Sequence, residues 1–184
     1  MPGMNEEEYL IKKAQKGDKE AYGQLYKKYF QKIYRYCKFN TESDEVAKDI
    51  CQESFVKAWK KIKDFKTEGN WSLQSFLFTI ARNLIIDRVR KKKEYSLEQF
   101  EELPSEYDLY EQIDKKLEVQ RVREVLSKLE DIDRQIILLR YFEEMSSQEV
   151  AKILGLKVGA LRVRTFRVMQ KMKDIFEALY GKRN

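Results

Sequence analysis

A run of positive charge towards the C-terminus contains the residues of this sequence best suited to hold a charged ligand. No acidic residue occurs between Lys157 and Lys173. The basic residues of this run are Lys157, Arg162, Arg164, Arg167, Lys171 and Lys173. An arginine presents several N–H donors in one plane, so it can pair with a phosphate or with the N7 and O6 acceptors of guanine. These residue types predict contact with a polyanion, and duplex DNA is the first candidate.

The residues just before this run predict a helix-turn-helix. Ser146 and Glu149 have the spacing of a capping box, in which each side chain satisfies a free backbone amide at the start of a helix. Ala151 is small enough to let a second helix approach closely, and Gly155 lies where a tight turn needs positive φ. Leu161 would hold the second helix against the first. The second helix of such a motif enters the major groove. The alternative interpretation is an ordinary helix pair with a solvated basic face.

Aromatic and basic residues also gather around residues 64–72, where Gly69 and Asn70 interrupt the helical periodicity. The group comprises Phe65, Trp71, Phe76, Phe78, Arg82, Asn83, Asp87, Arg88 and Arg90. Unpaired bases stack on aromatic rings while cations hold the backbone, so this composition is typical of single-strand binding. The alternative is a plain apolar core, which we expect for Phe76, whereas both interpretations stay open for Trp71.

The elements that must position these residues are predicted to be helices, because apolar residues recur at spacings of three and four over most of the chain. One stripe consists of Leu25, Tyr29, Ile33, Tyr36 and Cys37. After a predicted helix start at Ser43, a second consists of Ala47, Cys51, Phe55, Ala58 and Ile62. A later one consists of Ile132, Ile136, Ile137, Leu139 and Phe142. The predicted fold class is all-α, with two small helical domains at residues 1–93 and 119–184.

Residues 94–118 differ from both predicted domains in composition. They hold nine Asp or Glu residues, only two Lys and few aliphatic side chains. Pro104 interrupts any long helix there. We interpret this segment as a flexible acidic linker.

The composition argues against several classes of protein. The 184 residues include no histidine, and neither a Gly-rich phosphate loop nor a nucleophile elbow occurs. We therefore predict no catalytic residues and no cofactor. Cys37 and Cys51 are too few and too far apart for a metal site or a disulfide framework. Both lie in apolar stripes, so we expect buried side chains, and whether they pair is left open.

The net charge of +6 suits a polyanionic partner. The sequence shows no signal peptide and no apolar run long enough to span a bilayer. We therefore predict a cytoplasmic protein without membrane insertion.

Three stretches of the sequence resemble one known family. They are DEVAKDICQESFVKAWKKI (44–62), FLFTIARNLIIDRVRKK (76–92) and LSKLEDIDRQIILLRYFEEMSSQEVAKILGLKVGALRVR (126–164). Together, and in this order, they resemble the extracytoplasmic-function sigma factors of bacterial RNA polymerase. The resemblance implies a region 2 domain, a short linker and a region 4 domain. It also implies three partners: core RNA polymerase, promoter DNA in duplex and melted form, and an anti-sigma factor.

The resemblance further implies roles for the residues that match the family's motifs. Docking on the clamp helices of the largest polymerase subunit is implied for Asp49, Gln52, Glu53 and Phe55. Contact with the melted minus-ten strand, one base of which is flipped out, is implied for Phe65, Trp71, Arg82, Asn83, Asp87, Arg88 and Arg90. Contact with the duplex minus-thirty-five element is implied for Lys157, Arg162, Val163, Arg164, Phe166, Arg167 and Lys171.

Four residues depart from the family's usual pattern. Glu130 stands where proline is common, and Ala160 where threonine often begins the recognition helix, so one phosphate or capping contact is expected to be missing. Val163 replaces a small polar residue and could touch a thymine methyl group, and Met169 replaces an arginine. In the family the linker runs towards the RNA exit path. We therefore expect its acidic residues to occupy a channel built for polyanions until RNA displaces them.

Two other functions fit parts of the sequence. A stand-alone helix-turn-helix regulator explains the C-terminal residues but leaves the aromatic group and the acidic linker unexplained. An enzyme acting on nucleic acid lacks any recognisable set of catalytic residues. Tight duplex binding by the pure protein would favour the regulator, and cleavage or modification of nucleic acid would favour the enzyme.

Overall fold

The computed structural model of the 184-residue chain describes residues 5–66, 71–95 and 113–181. Within those residues the regular elements are helices, which confirms the all-α prediction. Helices α1–α4 belong to one compact unit and helices α5–α8 to a second. Each unit is described by itself below.

The first unit contains α1 (Glu6–Gln15), α2 (Lys19–Phe39), α3 (Asp44–Lys61) and α4 (Leu73–Tyr95), with a short 3₁₀ turn at Ile62–Asp64 after α3. The predicted start of α3 is confirmed, because the Ser43 hydroxyl accepts a hydrogen bond from the backbone N–H of Val46 at 3.2 Å. Helix α2 packs against the other three helices. Its predicted apolar stripe is buried: Leu25, Tyr29, Ile33, Tyr36 and Cys37.

Cys37 and Cys51 are both buried, as their places in apolar stripes predict. Both are free thiols, a point that the sequence leaves open. Burial raises the pKa of both thiols, and the neighbouring Cys51 raises that of Cys37 further. The pKa of Cys51 is raised to about 12. Because the thiolate is the nucleophilic form, we expect both thiols to react slowly in the folded protein at neutral pH.

We expect the two thiols to be protected from an aromatic disulfide reagent at pH 7.5 until the first unit unfolds. The thiols of the native protein should react only as fast as the first unit opens globally or locally. In denaturant both thiols should react at once with the reagent. The check is a time course of reagent absorbance with and without guanidinium chloride. Immediate reaction of the native protein would contradict this packing.

The second unit contains α5 (Ile113–Ser127), α6 (Asp131–Ile137), α7 (Ser147–Leu154) and α8 (Val158–Tyr180). A π-helical turn at Leu138–Phe142 continues α6. This wider turn rotates the residues that follow it. As a result Phe142, which the periodicity predicts to face the core, is 39% exposed, whereas Leu138 is 2% exposed.

Both ends of the predicted linker differ from the expected flexible chain. Helix α4 continues to Tyr95 and α5 begins at Ile113, so residues 94–95 and 113–118 are helical. The sequence contains neither proline nor glycine between Pro104 and Gly155, so no residue there interrupts α5. The remaining linker residues, 96–112, lie outside the described residues, and the predicted domain boundaries at 93 and 119 stay predictions.

The helix-turn-helix prediction is confirmed by α7, α8 and the turn between them. The backbone N–H of Glu149 donates to the Ser146 hydroxyl at 3.2 Å, and the N–H of Ser146 donates to the Glu149 carboxylate at 3.0 Å, which is a capping box. Gly155 ends α7 in the left-handed region with φ of +69°. The N–H of Leu156 then donates to the Ala151 carbonyl at 2.8 Å and closes the turn. Leu161 of α8 is 0% exposed.

We expect Gly155→Ala to lower the free energy of unfolding of the second unit by about 1 kcal/mol, because a Cβ is strained in the left-handed region. A Cβ at Gly155 would meet no atom within 4 Å, so backbone strain is the whole cost. Gly159→Ala is the matched control, since Gly159 lies in helical backbone of α8 with equally open space. That change should leave stability unchanged or raise it by up to about 1 kcal/mol. Urea unfolding followed by circular dichroism compares the two, and equal effects would contradict the turn.

Candidate nucleic-acid interface

The first half of α8 is fixed in the second unit by Leu161 and Val168, which are 0% and 2% exposed. Because these two residues lie seven positions, or two turns, apart on the core side, other positions of the helix point outward. Four exposed residues, Arg162, Val163, Phe166 and Arg167, form what we call the α8 face. Guanidinium groups beside exposed apolar side chains are the combination that reads guanine edges and thymine methyl groups.

Arg164 and Lys171 lie on the same helix but are turned towards α6. The Arg164 Nε donates to the Asp133 carboxylate at 2.5 Å, and one of its terminal nitrogens donates to Glu130 at 3.2 Å. The Lys171 ammonium lies 3.9 Å from each of the same two carboxylates. Sequence reasoning placed Arg164 and Lys171 among the DNA contacts and missed their acidic partners, because more than thirty residues separate Asp133 from Arg164.

The start of α8 lacks a side-chain cap, but the N-cap position is Lys157 and not Ala160, so the contact expected to be missing at Ala160 stays a prediction. Lys157 occupies the N-cap position and makes no side-chain hydrogen bond to the first turn. A first turn without a side-chain cap leaves backbone N–H groups that can receive a phosphate, and the exposed Lys157 adds a positive charge there.

In the first unit, most of the predicted aromatic group belongs to the core. Phe65 is 6% exposed and packs on Phe76 with ring centroids 5.1 Å apart. Phe78 is 0% exposed and meets Tyr36 edge-on at 5.2 Å. The prediction that Phe65 contacts a melted base does not fit this packing, because its ring is already covered. Trp71 is partly exposed just before α4, and Gly69 and Asn70 of the predicted loop lie outside the described residues.

The outward residues of α4 follow from its periodicity. Asn83, Asp87 and Arg90 are spaced by four and three positions, so they share one side of the helix, which we call the α4 face. Asn83 and Arg90 are exposed, and Asp87 lies 3.3 Å from the Arg90 guanidinium. Arg82 lies beside this face and is partly exposed.

Arg88 is turned away from the α4 face towards the connection between α2 and α3. Its Nε lies 3.4 Å from the Glu42 carboxylate, and the Lys92 ammonium lies 3.7 Å from the same group. Burial by itself would raise the pKa of the Glu42 carboxyl. A hydrogen bond from its own backbone N–H and the positive charges of Arg88 and Lys92 have the larger effect, so this pKa lies below its usual range. A phosphate that binds Arg88 must therefore compete with Glu42.

The residues predicted to dock on the polymerase lie on α3, with one exception. Asp49, Gln52 and Glu53 are exposed and form what we call the α3 face. Phe55 is 4% exposed, and its ring packs on Tyr26 with centroids 4.6 Å apart. Its burial agrees with its place in the predicted apolar stripe, so Phe55 can support the α3 face from below, and its predicted role in docking stays a prediction.

An apolar groove of about 420 Å³ adjoins the α3 face and was missed by sequence reasoning. Its lining residues are Lys19, Tyr22, Tyr26, Gln52, Phe55, Val56 and Trp59. The Tyr22 hydroxyl donates to the Phe55 carbonyl at 2.6 Å, and burial raises the pKa of that phenol. The signal available in the sequence was Val56, an apolar residue among the polar positions of α3, which is 52% exposed.

A second groove, of about 520 Å³, lies between α3 and α4. Its lining includes Glu53 of the α3 face together with Asp87 and Arg88 of α4. The fold therefore brings a predicted polymerase contact and two predicted minus-ten contacts to one concave surface.

In the described parts of the chain, no helix is long and apolar enough to cross a membrane.

Each of the two units matches a known protein family model. The family model for Sigma-70 region 2 matches residues 25–95, and the model for Sigma-70 region 4 matches residues 119–172. The ECF RNA polymerase sigma factor SigW of Bacillus subtilis is 31% identical over 89% of this chain and 92% of its own length. The RNA polymerase sigma factor YlaC of the same organism is 32% identical over 81% of this chain and 88% of its own.

A solved structure shares the architecture. CnrH, solved in complex with the cytosolic domain of CnrY, superposes with a TM-score of 0.70 and 26% identity over 92% of this chain and 96% of its own. Two sigma regions in the family's order, carried by a chain that matches sigma factors over most of its length, lead to one conclusion: this protein belongs to the extracytoplasmic-function sigma factors of bacterial RNA polymerase.

Proposed function

We propose that this sigma factor docks on core RNA polymerase through the α3 face and reads promoter DNA with the other two faces. The α8 face contacts the duplex minus-thirty-five element in the major groove. The α4 face and Trp71 contact the melted minus-ten strand. Exposure supports this assignment, because all three faces leave charged or aromatic side chains in solvent on helices that are firmly packed on their opposite sides.

The duplex role of α8 is supported chiefly by the geometry of the helix-turn-helix. Burial of Leu161 and Val168 turns Arg162 and Arg167 outward. Each guanidinium can take one guanine bidentately, and such a pair contributes about 1–3 kcal/mol of discrimination against other bases. The uncapped first turn and Lys157 supply phosphate contacts, which set the register of the helix on DNA.

Melting of the minus-ten element is assigned to Trp71, Asn83 and the neighbouring cations. Taking a base out of the stack costs a few kcal/mol, which stacking on an indole and hydrogen bonds to the base edge offset. Trp71 lies just before the start of α4 and is partly exposed, and Asn83 is exposed on the same helix. The sigma factor itself supplies binding and melting, and we assign it no catalytic residue.

Two relatives support a protein inhibitor. CnrH is solved in complex with the cytosolic domain of CnrY, and the sigma factor RpoE of Bartonella quintana is solved with the anti-sigma factor NepR. We propose that an anti-sigma factor binds this chain as well. We also propose that this sigma factor acts in the cytoplasm, because the polymerase and the promoter DNA that it binds are there.

A stand-alone helix-turn-helix regulator is not favoured. That function leaves the first unit without a role, whereas the Sigma-70 region 2 match covers residues 25–95 of that unit.

In vitro transcription from a randomised promoter library tests the proposal. Core polymerase with the purified chain should produce transcripts whose upstream sequences share two elements, and core polymerase alone should not. The library also identifies the promoter that this chain prefers. If transcripts form without any shared upstream element, the proposed DNA faces are wrong. If no transcripts form although a known sigma factor activates the same polymerase, the polymerase-directed function is wrong.

A further inference from the structure

The recognition helix α8 carries cations in two different settings. Among the residues that the structure describes, Lys157, Arg162 and Arg167 form no ion pair. Arg164 and Lys171, by contrast, both pair with Glu130 and Asp133, which we call the acidic pair. Two of the five cations predicted to meet DNA are thus matched by carboxylates of the protein itself.

The acidic pair is built into the fold. Asp133 lies in the first turn of α6, where the helix dipole favours a carboxylate, and its side chain is only 9% exposed. Glu130 lies just before α6 and is 69% exposed. Arg164 and Lys171 are seven residues apart, so they lie on one edge of α8, two turns from each other. The Arg164 guanidinium bridges both carboxylates and joins the start of α6 to α8.

This pairing makes Arg164 a poor donor to DNA. To reach a base or phosphate it must leave a carboxylate that is nine-tenths buried, which would then keep only the more distant Lys171 ammonium at 3.9 Å. The two carboxylates also balance the charges of the two cations, which removes the attraction of these cations for the phosphate backbone. The arrangement therefore opposes contact at this edge of α8 while leaving the α8 face open.

We propose that the acidic pair withholds Arg164 and Lys171 from DNA and so limits the sequence-independent part of duplex binding. Arg164 is then a positioning residue that sets α8 on α6, and sequence is read by the α8 face. The inference rests on the proposed duplex-binding role of α8. Glu130 also stands where the family commonly has proline, so this carboxylate is a departure of this chain from that pattern.

The test is the salt dependence of binding between the full chain and a short duplex of random sequence, measured by fluorescence anisotropy. Glu130→Gln/Asp133→Asn should bind about tenfold more tightly than wild type at low salt. The plot of log affinity against log salt should become steeper by about 0.9 for each cation released to a phosphate. A purely structural role of the acidic pair would not steepen this plot.

Asp131→Asn is the control matched in charge to Glu130→Gln, because Asp131 is one residue from Glu130 but pairs with Arg134 instead of α8. It should not steepen the salt plot. Equal slopes for the double variant and this control would overturn the inference. If Asp133→Asn prevents folding, Glu130→Gln alone must still steepen the plot relative to Asp131→Asn, since Glu130 is exposed and its neutral form should fold.

Arg162→Gln separates this inference from the proposed function. If it fails to weaken duplex binding, the α8 face is not the DNA surface and both proposals fall. If it weakens binding while the acidic-pair variant behaves like Asp131→Asn, the acidic-pair inference alone is wrong.

Discussion

Asp49→Arg/Glu53→Arg is expected to abolish co-elution of this sigma factor with core RNA polymerase. Both carboxylates are exposed on the α3 face, so they can meet arginines of a partner without rearrangement. Reversing them replaces attraction by repulsion at a desolvated contact. Loss of one such charge pair costs about 2–5 kcal/mol, which is at least about a thirtyfold loss of affinity. Size-exclusion chromatography of the mixture measures the result directly.

The variant should still fold, which makes the result interpretable. Glu53 pairs with Lys57 at 3.0 Å, but an exposed pair one helical turn apart contributes only about 0.3–0.5 kcal/mol. The matched control is Glu6→Arg/Glu8→Arg, which reverses two exposed carboxylates of α1 instead of α3. It should co-elute like wild type. Retention of binding by the α3 variant, or equal loss in the control, would contradict docking through the α3 face.

Arg162→Ala/Arg167→Ala is expected to abolish selective transcription from the promoter that the randomised library identifies. Two bidentate guanine contacts at about 1–3 kcal/mol each predict a loss of at least about thirtyfold in promoter affinity. Co-elution with the polymerase should not change, because α8 belongs to the other unit. Transcript yield at limiting holoenzyme, on the preferred promoter and on one with a scrambled upstream element, measures the effect.

Lys128→Ala/Lys173→Ala is the control for net charge, since it removes two exposed cations of the second unit outside the α8 face. It should retain the preference for the intact upstream element. If the arginine variant keeps that preference, or if the lysine variant loses it equally, the α8 face does not read the promoter.

Local features of this protein were predictable because they depend on neighbours in sequence. A capping box needs Ser146 and Glu149 three residues apart, and a left-handed turn needs Gly155, so both follow from the order of residues. Helical periodicity likewise predicted which side of α2 is apolar. The family resemblance added the polymerase and promoter roles, which neither periodicity nor composition contains.

Predictions failed where a distant helix decides the outcome. Phe65 has a residue type suited to stacking on a base, yet its ring packs on Phe76 and is buried. The π-helical turn after α6 moved Phe142 out of the stripe that strict 3.6-residue periodicity assigns to it. In each case the residue type is compatible with a buried or an exposed side chain, and the packing of neighbouring residues determines which of the two occurs.

Arg164 shows the same division between sequence and tertiary structure most clearly. Its charge and its place in the recognition helix follow from the sequence by itself, which also determined the all-α class, the helix-turn-helix and the basic run. Only the tertiary structure decided that Arg164 pairs with Asp133 while Arg162 stays exposed. The physical reason is that helical spacing determines which residues share a side of one helix, whereas burial and ion pairing depend on which other helix covers that side.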